Sequence, residues 1–305
     1  MNDKKKIYWH LPGFCYYRVM NQIMINFMRD YPEKFFDGYQ IGSVYGTFPG
    51  AIWNGGRTVF GITSKRDMSV IINMYNNFGV PVRFTWTNSL LEEKHLNDTY
   101  CNLIMLLADN GQNQVLINTP VLEEYIRIQY PSFKRISSTT KRIVDLKALS
   151  EELEKDYYLV VLDYDMNHNE EILKSIQPHA DRVEILVNEI CYPNCPKRTE
   201  HYNQQSKAQL EFDAHSTFPC PNRTKERKFS ECINKPAFIS NEMIGSYIDK
   251  GFINFKIVGR GMPAEYLKES YLYFLVKPEH RAFVGQKIDS LLSHAQNCAT
   301  SPRKN

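Results

Sequence analysis

Short apolar runs alternate along this chain with stretches of helical periodicity, and that alternation narrows the fold more than any other feature. The runs lie at residues 7–10, 41–45, 82–87, 114–118, 133–138, 159–163, 183–188 and 252–258. They are rich in Val, Ile, Phe and Tyr, the composition of strands buried on both faces of a parallel sheet. Helical stretches at 16–31, 68–78, 100–109, 121–129, 146–153 and 170–176 separate them. In the first of these, Met20, Met24 and Met28 recur at every fourth position and mark the face packed on the strands. Asp67 and Asn169 read as N-caps, the latter followed by two glutamates at the positive helix end. The count is that of an α/β chain forming a single TIM-like (β/α)8 barrel over residues 1–290, with a polar C-terminal tail at 291–305. An open doubly wound sheet is the alternative, but no Gly-x-Gly-x-x-Gly follows the first strand. A ninth run at 237–240 is either an eighth strand displacing the first or part of the insertion before it.

A chain of 305 residues, 43% hydrophobic, can bury a large core without disulfide staples. Its formal charge of +3 does not by itself point to nucleic acid. No apolar stretch has the length of a signal peptide or of a membrane helix, so the expectation is a cytoplasmic protein without a membrane partner. Seven cysteines in that compartment favour free thiols or metal ligands over disulfides.

Polar residues gather where the runs end: Thr85, Thr87, Asn88 and Ser89; Asn118 and Thr119; Ser137 to Thr140; Asp163 and Asp165; Asn188 and Glu189; Gly259 and Arg260. In a barrel these ends converge on one face, where active sites sit. Helix capping accounts for some of the Ser, Thr, Asn and Asp residues. It does not account for Glu189 or Arg260, which are the candidate catalytic pair. A structural ion pair between the two is the plainer reading.

The seventh run leads into Cys191 and Cys195, and then an insertion at 197–235 carries Cys220 and Cys232. A βα connection usually takes about two to six residues, so an insertion of this length needs something to order it. Four thiolates on one cation or cluster would do so. The spacing C-x3-C-x24-C-x11-C departs from the C-x2-C pairs of zinc ribbons, while iron–sulfur proteins tolerate wider intervals. The candidate ligands are therefore Cys191, Cys195, Cys220 and Cys232, for a 4Fe–4S cluster or, alternatively, zinc. Separately buried thiols are the metal-free reading. Cys15 follows the first strand and can replace one of the four, Cys101 belongs to the core, and Cys298 sits in the tail.

Arg198 and His201 follow Cys195 at helical spacing and suit hydrogen bonds to a cluster or an anionic substrate, or else a solvated helix face. His10 reads as a structural histidine. Asp163 and Asp165 alternate, so only one should face inward. Residues 223–228 form a basic run that suits RNA phosphate or a solvated loop. Gly-x-Ser-x-Gly, His-Glu-x-x-His and the P-loop are missing from the sequence, which counts against the familiar hydrolase mechanisms.

Three segments give the chain a resemblance to the U32 peptidase-like (collagenase-like) family. They are Val44-Tyr45-Gly46 with Asn54-Gly55-Gly56-Arg57; Ile136-Ser137-Ser138-Thr139 with the runs that follow it; and the loop from Cys191 to Cys195 with Lys256-Ile257-Val258-Gly259-Arg260. The last string resembles the family's lysine, apolar, x, glycine, arginine strand end. The resemblance implies a barrel and a 4Fe–4S cluster on the four cysteines. It also implies an oxidoreductase or a factor for oxygen-independent hydroxylation, acting on a small molecule or an RNA base, alone or as a hetero- or homodimer. Some members are called peptidases, so a U32-type peptidase or a ligand-binding barrel with structural zinc is the alternative. This chain departs from the family in its cysteine intervals and in lacking the extra C-terminal domain of longer members.

Overall fold

The computed structural model describes residues 5–220 and 227–300. Eight parallel strands close into one barrel in sequence order. They are β1 (Ile7–Pro12), β2 (Tyr39–Gly46), β3 (Val82–Trp86), β4 (Gln114–Ile117), β5 (Lys134–Ser137), β6 (Leu159–Val161), β7 (Val183–Leu186) and β8 (Asn254–Lys256). Every run read as a strand is one. Pairing of β1 with β8, Tyr8 opposite Asn254, closes the cylinder and rules out the open sheet. Several strands are shorter at their C-terminal ends than the apolar runs suggested, because the last residues leave the ladder to line the barrel mouth. The run at 237–240 is not a strand. Its ladder position beside β7 is taken by β8, and Ile239 keeps one backbone bond to Val187 O, 2.8 Å.

The helices are α1 (Arg18–Asp30), α2 (Lys65–Asn76), α3 (Thr99–Ala108), α4 (Pro120–Gln129), α5 (Leu146–Leu153), α6 (Glu170–Ser175), α7 (Arg198–Glu211), α8 (Phe229–Cys232), α9 (Asn241–Asp249), α10 (Ala264–Leu275) and α11 (Arg281–Thr300). Met20 and Met24 of α1 are buried and Met28 packs beside them, as the stripe required. Asn169 caps α6, accepting from Ile172 N at 3.1 Å. Asp67 is not a cap. Ser64 caps α2 instead, and Asp67 at the third helical position contributes its N–H to the Ser64 hydroxyl. Beyond residue 291 the chain continues in α11.

The main core lies between strands and helices, while a small inner core of Tyr45, Leu116, Ile136, Leu159, Val161 and Leu186 fills the upper barrel. Below it the interior is charged. Glu184 meets Arg83, Lys256 at 3.2 Å and His10 at 3.4 Å, all buried. Burial alone would raise the Glu184 carboxyl, but Arg83, Lys256 and His10 outweigh it and hold it well below the usual carboxylate range. Room for His10 comes from a register shift in β2 at Gly42, where a Cβ would stand 2.8 Å from the imidazole. His10 is thus a structural histidine beneath the mouth.

Candidate functional site

The last strand residues turn inward, and the loops that follow build a two-part cavity. A small chamber of about 80 Å³ lies on the barrel axis, floored by Tyr45, Leu116, Leu186 and Lys256 and walled by Thr85, Thr87, Ser138, Thr140 and Glu189. A larger cavity of about 800 Å³ adjoins it, with Tyr16, Val59, Ile190, Phe218 and Met262 on its apolar walls. Arg57, Cys191, His201 and Arg260 line both and form the neck between them. The helix α7 supplies His201 to the neck and Arg198 and Tyr202 to the small chamber. Its attachment is polar: Gln209 Oε1 accepts from Val59 N at 2.8 Å, and Ser206 Oγ accepts from Ser89 N at 3.0 Å.

Of the neck residues, Arg260 and His201 are held by their surroundings. Arg260 donates to Asn54 Oδ1 at 3.1 Å, Thr85 Oγ1 at 2.9 Å and Gly55 O at 3.2 Å. Gly55 is required here, since a Cβ would sit 2.2 Å from Thr87 O. Burial lowers the Arg260 guanidinium to about 10, with Arg57 adding to the fall, yet it stays charged at neutral pH. His201 is stacked on Phe218 at 4.4 Å, and burial with Arg57 and Arg198 lowers it to about 4, so the imidazole is neutral. The Cys191 thiol is pushed well up by burial and by Glu189 beside it. Glu189 Oε1 accepts from Ile190 N at 2.9 Å and Cys191 N at 3.1 Å, which orients the carboxylate. Lys256 at the floor lies over the Tyr45 ring at 4.4 Å, and burial lowers it to about 8 against the pull of Glu184.

No family model matches the chain. An uncharacterized protease of Methanocaldococcus jannaschii is 28% identical over 237 residues, covering 74% of this chain and 69% of that protein. The solved structure of the U32 peptidase Mk0906 shares the fold with a TM-score of 0.53 and 14% identity, over 86% of this chain and 96% of that one. The chain has the fold of that U32 peptidase.

The barrel brings the expected catalytic pair, Glu189 and Arg260, to one mouth without pairing them. Glu189 bonds its own loop, and Arg260 bonds the β2–α2 loop and β3; no ion pair joins them among the described residues. Asp163 and Asp165 correct the alternation argument. The chain leaves β6 after Val161 and turns through Tyr164–Met166, so both carboxylates reach Arg142. Burial lifts Asp163 to about 6 even so, with Arg142 opposing the rise. Arg198 is not on a solvated face: it is 3% exposed, stacked on Tyr164 at 4.4 Å.

The four cysteines do not share one point. Cys191 and Cys220 line the larger cavity, where Cys15 also stands, and Cys195 is half-buried in the turn before α7. Cys232 is buried apart from them, its thiol donating to Asn188 O at 3.3 Å and accepting from Tyr266 Oη at 3.2 Å. Among the described residues no three His, Cys, Asp or Glu side chains are grouped to hold a metal ion. A thiol held by two local hydrogen bonds does not fit a four-thiolate cradle. Cys101 is a core residue as expected. The basic run at 223–228 lies outside the described residues up to position 226, as does the Cys298 side chain.

Sequence reasoning named Glu189, Cys191, Arg198, His201 and Arg260 for this site but did not single out Arg57, Lys256 or Tyr202. Arg57 and Lys256 stood in the very strings that carried the family resemblance. Tyr202 lies four residues after Arg198, one helical turn on. No helix among the described residues is long and apolar enough to cross a membrane.

Proposed function

We propose that this U32-like barrel is an enzyme acting on a small anionic molecule held across the neck, with Arg260 and Arg57 holding the negative charge and Glu189 moving the proton. The observation that carries this reading is the neck itself, where two arginines and a carboxylate-bearing loop meet between a polar chamber and an apolar cavity. Charge that builds on a substrate at this point meets guanidinium groups already fixed by hydrogen bonds, so little reorganisation is needed during reaction. Glu189 is held by two backbone N–H groups at the chamber wall, within the space a substrate must occupy. His201, neutral at physiological pH, adds a hydrogen-bonding group without adding charge.

A cysteine-nucleophile peptidase is less well supported, because thiolate attack needs a lowered thiol pKa and the Cys191 thiol is pushed up. The six described cysteines are free thiols, which suits a cytoplasmic setting.

Thermal-shift screening against a panel of small carboxylates and phosphates tests the reading, followed by turnover of the molecules that stabilise the protein. Arg260→Gln should abolish the shift, while Glu189→Gln should keep binding and lose turnover by at least about a hundredfold, the scale of general-base catalysis. Wild-type turnover in Glu189→Gln, or no anion that stabilises the protein, would overturn it.

A further inference from the structure

We infer that the small chamber is a seat for the terminal phosphate of a phosphorylated substrate, whose carbon portion lies in the larger cavity. The inference rests on the reading of the mouth as the substrate site and adds the chemical class of the ligand.

Charge is the first argument. Arg57, Arg198, Lys256 and Arg260 all line the chamber, and Glu189 is the one carboxylate among the described residues that does. Lys256 already faces Glu184 from below at 3.2 Å, yet the lining as a whole stays cationic. Bringing four cations to one small chamber is costly unless an anion joins them. A dianion offsets more of this excess than a carboxylate does.

Unused hydrogen bonds are the second argument, independent of charge. Thr87 and Arg198 are each 3% exposed and line the chamber, but Thr87 Oγ1 and Arg198 Nη1 have no hydrogen-bond partner among the described residues. Thr139 Oγ1, on the same lining, is also unpartnered. Buried polar groups are nearly always bonded, and leaving one without a partner is costly. These three groups come from three loops, after β3, after β5 and at the start of α7. All three side chains belong to the chamber lining, so a shift of a side chain on ligand entry can give each of these groups a partner.

Size is the third. One water needs about 10–15 Å³ of such space, so about 80 Å³ admits roughly five to eight heavy atoms, enough for a phosphate and too little for a ring beside it. A phosphodiester carries a group on each side of its phosphate and exceeds that space, so an end group is the form that fits.

Calorimetric titration of the full chain with inorganic phosphate, and with acetate at equal ionic strength, tests the seat. Saturable phosphate binding with none for acetate is expected. Thr87→Val and Arg198→Met should each weaken phosphate about tenfold, the loss of one charge-assisted hydrogen bond. Thr87→Val replaces an unpartnered buried hydroxyl with a methyl, so its melting temperature without phosphate should not fall; a hydroxyl with a structural role would lower it. No saturable phosphate binding, equal binding of acetate, or phosphate affinity unchanged in Thr87→Val overturns the inference. Glu189→Gln separates the two proposals, since it should keep phosphate binding while losing turnover. Failure of phosphate to bind, with Glu189→Gln inactive on whatever substrate is found, sinks the seat alone. Phosphate binding in a protein whose turnover ignores Glu189 sinks the mouth chemistry alone.

Discussion

His10 shows how far a single side chain can be argued. Arg83 Nη2, which can only donate, lies 3.1 Å from His10 Nδ1, so that nitrogen is the acceptor. Nε2 therefore carries the proton and donates to Asn254 Oδ1 at 3.2 Å. A second proton would have to sit on Nδ1 against the guanidinium, and burial together with Arg83 lowers the imidazole to about 3. Unfolded chain takes up that proton below its ordinary value of about 6.5, so between the two values the unfolded state binds more protons. Stability is then lost as pH falls through this window. Urea unfolding at pH 7 and pH 5 should show a His10 contribution to the loss of about 2 kcal/mol, absent in His10→Gln. An equal pH dependence in both proteins would refute the assigned neutral tautomer. Glu184 beside it is the keystone of the same layer. Glu184→Gln leaves Arg83 and Lys256 buried without a counter-charge and should cost about 3–5 kcal/mol by urea unfolding, the penalty for breaking a buried ion pair from one side.

At the scale of elements, α7 differs from the other helices. Of its buried residues Arg198, Ser206, Ala208 and Gln209, one is apolar, and its attachment to the β2–α2 and β3–α3 loops runs through Gln209, Ser206 and Asn203. A helix held by polar bonds rather than by apolar area opens at lower free energy than the strands beneath it. Hydrogen exchange should find the α7 amides exchanging faster than those of β3 and β4. Gln209→Ala, which strips Val59 N of its acceptor, should raise the α7 rates about tenfold and leave the β3 and β4 rates unchanged. Exchange of α7 in step with the strands would show that it opens only on global unfolding. The same element marks where the sequence stopped being legible. Strands declare themselves through local runs of Val, Ile and Phe, and α1 through its methionine stripe, because their partners are always the barrel. The residues of α7 carry no apolar stripe, so nothing in them says that Arg198 turns inward. Asp163 and Asp165 misled for a related reason: period-two alternation holds only while the strand lasts, and β6 ends at Val161.

Considered as a whole molecule, the barrel and the cysteine segment have different sources of stability. The cylinder closes through β1 and β8 and is filled by its own side chains, so its integrity does not depend on the four thiols. That much was legible, because strand count and polar strand ends are local features. Which thiols meet was not, since it depends on how some forty residues fold back on the mouth. The structure as it stands predicts unequal roles. Cys191, Cys195 and Cys220 are each partly exposed, and changing any one to Ala should alter unfolding free energy by less than about 1 kcal/mol. Cys232 is buried, and its loss leaves Tyr266 Oη without one partner, so Cys232→Ala should cost about 1–3 kcal/mol whether or not a metal is supplied. Iron, zinc and acid-labile sulfide in anaerobically purified protein give the other half of the test. A cluster on Cys191, Cys195, Cys220 and Cys232 would make all four Ala variants lose iron together and would destabilise the holoprotein by similar amounts. That outcome would mean the segment refolds around its ligand, with Cys232 giving up Asn188 and Tyr266. Loss of stability confined to Cys232→Ala, with metal content unrelated to the other three, would instead fix its thiol as part of the packing beneath α10.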